Sequence, residues 1–455
     1  MTHRWLHICT ATALAAALTA LGPSPDRPPA AVTVVIADSL TPTERRIASA
    51  VDERNAQALA LLERVVNINS GTMNLAGVRR VGDAFRAELD ALGFTTRWVD
   101  GAGFNRAGHL VAERTGRGPR LLLIGHLDTV FEPRSPFQKF ERLSDTTARG
   151  PGIIDMKGGD VIIVEALRAL KTAGALDRLS ITVVMHGDEE DAGAPLSAAR
   201  ATLTEAAKRS QFALGFEDGS GDPHTAVISR RSAGSWTLRT TGTPAHSSQI
   251  FRDDIGAGAL FEAARILQGF REKLAGQQYL TFNPGLVLGG SEVKYDTAQG
   301  GGNAFGKTNV VAGQTIVTGD IRALSPEQLA KAKATMMEVV AQHLPKTTAE
   351  LTFDDGYPPM APTEGNRRLL AAYDSVSRAL GYGAVVAVDP SRAGAADVSF
   401  AAPYIPMAID ALGLAGWDDH SDKETADLRW LPKLTKRAAI LIHRLGTREN
   451  TLPRS

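Results

Sequence analysis

The sequence predicts an α/β protein: a mixed sheet covered on both faces, with a smaller ferredoxin-like α+β unit inserted into it. Three observations predict this. Runs such as "RLLLIG" and "LSITVVM" are continuously apolar, as strands buried on both faces are. These runs alternate with segments of helical periodicity. From about Ser232 the pattern changes to half-exposed strands in the order strand, helix, strand, strand, helix, strand. At 455 residues the chain is too long for one ordinary core, and about two or three domains are expected.

The elements follow in order. "TPTERRIASAVDERNAQALALLERVVNI" has apolar residues at helical spacing and reads as one long helix. "VRRVGDAFRAELDALGF" is a second helix, closed by Gly93. "TTRWVD", "HLVAER" and the start of "RLLLIGHLDTV" are strands. "GGDVIIVEALRALKTAG" is a helix, "LSITVVMH" a buried strand and "PLSAARATLTEAAKR" one further helix. In the inserted unit, "SWTLRTTG", "LVLGGSEV", "TIVTGDIRAL" and "AELTFDDG" are strands. "DIGAGALFEAARILQGFREKLAG" and "SPEQLAKAKATMMEVVAQHL" are helices, the latter with Ser325 as N-cap. The glycine-rich "TAQGGGNAFGKTN" reads as a loop. It lacks the strand-to-helix context of a phosphate cradle. "NRRLLAAYDSVSRALG", "YIPMAIDAL" and "LPKLTKRAAILIHRLG" then give helix, strand and closing helix.

Composition narrows the function. Lys+Arg equals Asp+Glu at 50 each, so net charge makes no case for nucleic acid or an anionic membrane. The N-terminus carries Arg4, then the small-residue apolar run "TATALAAALTAL", then the helix-breaking "GPSPDRPPAA". This reads as a secretory signal within residues 1–37, with an uncleaved anchor as the alternative. The expected location is secreted or periplasmic. Cys9, the one cysteine, precedes the apolar run. A mature chain without it has no disulfide, thiol nucleophile or zinc–thiolate site. Any metal must be held by His, Asp and Glu.

Several short stretches carry such residues. "LLLIGHLDTV" puts His126 and Asp128 at the carboxyl end of a buried strand, where open α/β sheets bind ligands. Their i, i+2 spacing puts both on one face. "ARGPGIIDMKGGD" sets Asp155 in a glycine-punctuated turn, where an N-cap role is the commoner reading. "MHGDEEDAG" places Glu189 and Glu190 after another buried strand, and adjacent glutamates can divide metal binding and proton transfer. Glu217 in "LGFEDGS" and His420 in "GWDDHSDKET" complete the set. Each alone also reads as a surface loop; together they form the O and N donors that a hydrolytic two-metal site needs.

These segments, in this order, resemble the zinc-dependent exopeptidase and deacylase family. Its members include glutamate carboxypeptidase, acetylornithine deacetylase and succinyl-diaminopimelate desuccinylase. "GHLDTV", "GPGIIDMKGG", "DEE", "GFE" and "DHSDKE" resemble its successive metal-site motifs, and the likeness runs from about Thr43 to Gly446. It implies a di-zinc hydrolase domain with a lid/dimerisation domain inserted. Residues 38–231 and 358–455 are then the two parts of the catalytic domain, and residues 232–357 the lid. It also implies two Zn2+ per chain, Co2+ or Mn2+ being alternatives in such a donor set. His126 and Glu217 hold one ion, Glu190 and His420 the other, and Asp155 bridges them. Asp128 orients His126, and Glu189 is the general base.

In the inserted unit, "TGTPAHSS" resembles the segment whose histidine, here His246, reaches across a homodimer to the partner's active site. "KTNVV" and "TGDIRAL" resemble segments that give an Asn and an Arg to the substrate carboxylate, here Asn309 and Arg322. The implied substrate is a small peptide or an N-acyl amino acid, cleaved at an amide next to a free carboxylate. A carboxypeptidase is favoured over a deacylase or dipeptidase. A non-catalytic metal-binding protein on the same scaffold is a remote alternative, which the presence of Glu189 opposes. The sequence departs from the family at "AGAAD" (394–397 and the preceding alanine), where a hydroxyl is missing. It departs again at Gly258, where relatives often have Asn. His186, His224, Asp188, Asp191 and Asp218 read as bystanders. Asp188 and Asp191 read as ordinary solvated loop residues, and Asp218 competes with its neighbour Glu217.

Overall fold

The structure is a computed structural model that describes residues 39–447 except residue 298. The expected signal segment and Cys9 lie outside the described residues. The six-stranded sheet runs in the order Thr95–Asp100, Gly108–Arg114, Ser180–His186, Arg120–His126, Phe212–Gly215, Met407–Ile409. The first two strands join antiparallel and the rest pair parallel, so the sheet is mixed as expected. One face of the parallel strands, with Leu122, Ile124, Val184 and Ala213, packs on Leu203, Ala206 and Ala207. Helices Lys157–Thr172 and Leu431–Gly446 lie on the other face. With side chains buried on both faces, no polar alternation survives in these strands, which is why they read as unbroken apolar runs. Each fully buried leucine contributes about 1.5–3 kcal/mol. In the Arg120–His126 strand, Leu123→Ala should cost about 2–5 kcal/mol.

The inserted segment forms a four-stranded antiparallel sheet, ordered Thr281–Gly290, Gln314–Arg322, Ala233–Gly242, Thr347–Tyr357. Helices Gly258–Leu274 and Pro326–Val340 cover one of its faces. Trp236, Leu238, Val317 and Leu351 meet Ile266, Phe270, Met336 and Val339 there. Ser325 caps the second helix by accepting from Gln328 N at 3.1 Å. Gly258 has φ +79°, and a Cβ there would stand 2.6 Å from Val311 Cγ1. A side chain would be strained and crowded at that position, which accounts for glycine.

Three expectations are corrected. The first helix is two, Pro42–Glu53 and Asn55–Val66, interrupted at Arg54. The segment after "MHGDEEDAG" is also two helices, Leu196–Ala199 and Ala201–Lys208, interrupted at Arg200. In both, the interrupting arginine reaches a buried carboxylate: Arg54 pairs with Glu165 at 3.1 Å and Arg200 with Asp188 at 2.8 Å. Periodicity sees the apolar stripe, which continues through both breaks, and does not see the ion pair. The glycine-rich stretch is not wholly a loop. Gly301–Phe305 is a strand that pairs antiparallel with Glu292–Asp296. Gly302 fits because a Cβ there would meet Lys294 O at 2.1 Å.

Candidate metal centre

Three parallel strands end side by side. His126 is in register with His186, and Ile124 with Gly215. The chain therefore delivers His126 from the first strand end, Glu189 and Glu190 just past the second, and Glu217 just past the third. This is the carboxyl edge of the parallel strands, where such sheets bind ligands. Asp155 arrives from the turn before helix Lys157–Thr172. Gly152, at φ +73°, lets that turn fold tightly. His420 comes from a loop far along the chain. It sits at φ 57°, a left-handed conformation that costs a non-glycine residue about 1–3 kcal/mol and so points to an enforced position.

The donors form two groups that share Asp155. His126 Nε2 lies 3.0 Å from Asp155 Oδ1 and 3.5 Å from Glu217 Oε1. His420 Nε2 lies 2.8 Å from Asp155 Oδ2 and 3.2 Å from Glu190 Oε2. Within each group the ligand atoms lie within 4.8 Å of one another, a spacing that suits one metal ion per group. Each oxygen of Asp155 serves a different group. Asp128 is fully buried behind His126, its carboxylate 3.5 Å from Nδ1. Asp128 also accepts from Thr72 Oγ1 at 2.6 Å, from Glu189 N at 3.0 Å and from Glu190 N at 3.1 Å. His126 Nδ1 itself donates to the Asp128 main-chain carbonyl at 3.1 Å, so one residue fixes both the imidazole and the backbone of the two glutamates, as is common for metal-bound histidine.

The electrostatics fit a cation. Burial, then the charge of Asp155, pushes Glu190 up to about 7. Burial pushes Glu217 up to about 7 as well. Burial, then the charge of Glu217, drives Glu189 well above the usual carboxylate range. Hydrogen bonds to Asp155 and then Glu190 raise His420 to about 11. Burial opposes a charge on His126, yet Glu217 and the bonds to Asp128 and Asp155 hold its pKa well above normal. Without a metal, the site gathers protons to neutralise its crowded carboxylates; a divalent cation would replace them. Glu190 Oε1 is buried with no hydrogen-bond partner among the described residues, as suits an atom facing a ligand.

Among the expected bystanders, one differs from expectation. Asp188 is not a solvated loop residue. It is fully buried and accepts from Arg200 Nη1 at 2.8 Å and Gly193 N at 2.9 Å. His186 is buried too, its Nδ1 against Asp397 Oδ2. Asp397, at the end of "AGAAD", is therefore tied to His186 and to Arg200 Nε at 2.8 Å. Asp191 is on the surface, 62% exposed and paired with Arg106. Asp218 joins neither donor group among the described residues.

His246, Asn309 and Arg322 do not meet the cluster through any hydrogen bond or ion pair among the described residues. His246 and Asn309 are exposed neighbours, since Ser247 N donates to Asn309 O and His246 bridges to Val310. Arg322 pairs with Asp320 at 3.1 Å.

Two supports went unread in the sequence. Glu424 accepts from the backbone N–H groups of Gly152, Ile154 and Asp155 at 2.8–3.1 Å, holding the turn that carries Asp155. It lies inside "DHSDKE", yet only the folded turn shows what it grips. Tyr357 donates to Glu189 O at 2.9 Å, and no local pattern connects residues 168 apart in sequence.

Residues 122–444 match peptidase family M20/M25/M40. Carboxypeptidase G2 of Pseudomonas sp. (strain RS-16) is 29% identical over 409 residues, covering 88% of this chain and 91% of that one. The fold is shared with aminopeptidase PepT of Bacillus cereus, with a TM-score of 0.67 at 16% identity over 86% of this chain and 98% of that chain. It is also shared with the YXEP protein of Bacillus subtilis, a dinuclear metal binding peptidase. There the TM-score is 0.58 at 15% identity, over 86% of this chain and 98% of that chain.

Proposed function

Because the chain belongs to peptidase family M20/M25/M40 and is a metal-dependent hydrolase, we propose that it is a carboxypeptidase-type exopeptidase. On this reading it cleaves an amide next to a free carboxylate. The observation that carries the reading is the shared carboxylate: Asp155 faces a His/Glu pair on each side. The likeness to carboxypeptidase G2 supports the choice of substrate class.

His126, Asp155 and Glu217 would hold one zinc ion, and Asp155, Glu190 and His420 a second. Two such ions supply Lewis acidity, polarising the scissile carbonyl and lowering the pKa of the attacking water towards about 7. The protein's own groups do the rest. Glu189 takes the water's proton and delivers it to the leaving amine nitrogen as the C–N bond breaks. Asp128 keeps His126 in one tautomer and orientation. Arg322 and Asn309 receive the substrate carboxylate, the guanidinium fork matching it bidentately. His246 donates to the oxyanion.

Those last three groups stand apart from the cluster in their own chain, and we assign His246 to the site of a second copy. Exposed apolar side chains on the same inserted segment support a homodimer through it: Phe251, Leu260, Phe261, Val287 and Phe305. The leader supports export to the periplasm or medium. N-terminal sequencing of the exported protein checks this, and an unprocessed N-terminus speaks against a cleaved signal.

The test of function is hydrolysis by zinc-loaded enzyme of N-acyl amino acids, dipeptides, their C-terminal amides and a phosphate ester, side by side. The expected result is turnover of free-carboxylate substrates and at least a tenfold loss on amidation. Cleavage of the phosphate ester alone overturns the reading.

A further inference from the structure

The Glu189 side chain is half-buried, and among the described residues its carboxylate has one hydrogen-bond donor, the Tyr357 hydroxyl, 3.4 Å from Oε1. The same hydroxyl lies 2.9 Å from Glu189 O. A phenol has one proton, so the two acceptors of Glu189 share it: the main-chain carbonyl at the shorter distance, the carboxylate at the longer. Burial, then the charges of Glu189 and Asp397, holds Tyr357 far above the usual phenol range, and it remains a donor.

Tyr357 is itself held. Arg200 Nη2 donates to its oxygen at 3.0 Å. Arg200 in turn is locked by Asp397 on Nε, by Asp188 Oδ1 on Nη1 and by the Asp188 carbonyl on Nη2 at 3.0 Å. The ring packs against Phe400, with centroids 4.9 Å apart. Tyr357 is also the last residue of the inserted sheet's strand Thr347–Tyr357.

A general base needs one oxygen free for water and the rest of the group restrained. We propose that Tyr357, backed by Arg200, is the positioning residue that aims the Glu189 carboxylate at the attacking water. The inference rests on the role given to Glu189 above. It also ties the end of the inserted sheet to the base, so a change at that strand end is felt at the proton-transfer step.

Tyr357→Phe is the test, because it removes the hydroxyl and keeps the ring on Phe400. Arg200 stays compensated by Asp188 and Asp397, so the variant should fold. In zinc-loaded protein, kcat should fall about 10- to 100-fold, since misplacing a reacting group by about 1 Å costs up to about 10²-fold. KM and bound metal should stay at wild-type values, and the unfolding midpoint should fall only slightly, for the lost bonds to Glu189 O and Arg200. A crystal structure of the variant should show the Glu189 carboxylate rotated away from its wild-type position, with the Asp188–Asp191 backbone unmoved. A kcat within twofold of wild type, or an unmoved carboxylate, overturns the proposal. So does a fall in kcat accompanied by metal loss or a matching rise in KM, which makes Tyr357 a general prop. If the wild type cleaves none of the amides tested, the proposed function fails. The position of the carboxylate in the variant then still decides whether Tyr357 places it.

Discussion

Two regions assigned to one reaction are built in opposite ways. The candidate metal cluster is assembled from one chain: His126, Glu190 and Glu217 lie at or just past the ends of adjacent strands, Asp155 and His420 come from a turn and a loop, and groups such as Asp128 and Glu424 brace them. The His246–Asn309 region is exposed, with no bond to that cluster among the described residues. Each part gains its order from a different source. Charged donors crowded at a largely buried site need a fixed frame to hold them before any ligand arrives. Substrate-contacting groups have no such requirement, and a second copy can supply them.

Glu189→Ala should have the largest effect. Loss of a general base lowers kcat by about 10³-fold, and metal content should remain as in the wild type. Normal turnover in the variant would break the division of labour between Glu189 and Glu190. His246→Ala should lower kcat about 10²-fold as a lost oxyanion donor. Mixing it with Glu189→Ala should restore activity in the mixed dimer. Heterodimers without recovery would place His246 in its own chain's site, or in none.

Asp188→Ala and Asp191→Ala sharpen the comparison inside one acidic stretch. The first leaves Arg200 short of a partner in the interior and should cost about 3–5 kcal/mol of stability in urea unfolding. The second removes an exposed ion pair and should cost under about 0.5 kcal/mol.

Metal removal should expose the cluster's charge through pH. Glu190 and Glu217, raised to about 7, and His420, raised to about 11, all bind protons more tightly folded than unfolded. Between their unfolded and folded pKa values the native state holds more protons, so stability falls as pH rises. The unfolding midpoint of metal-free protein should drop steadily from about pH 5 to pH 9. Bound zinc should largely flatten that slope. A metal-free midpoint that rises with pH over this range would contradict the charge reading.

Much of this was legible in the sequence because its causes are local. The strands through Leu121–Ile124 and Ile181–Met185 announce themselves by continuous apolar runs, and His126, Glu189, Glu190 and Glu217 follow such runs directly. What escaped was set by distant partners. Asp188 looks like Asp191 in sequence, but Arg200 reaches back through a helix break to bury it. Glu424 grips three N–H groups about 270 residues earlier, which no periodicity encodes. Gly301–Phe305 is a strand in which Gly302 lets the backbone approach its partner closely, whereas glycine content alone suggests a loop.

In the proposed site one carboxylate, Asp155, joins two metal sites. Its most direct measurement is zinc titration of metal-stripped protein by calorimetry, wild type beside Asp155→Asn. Two equivalents should bind per chain in the wild type, and binding at both sites should weaken in the variant. One equivalent in the wild type, or a variant that still binds two with unchanged affinity, would contradict it.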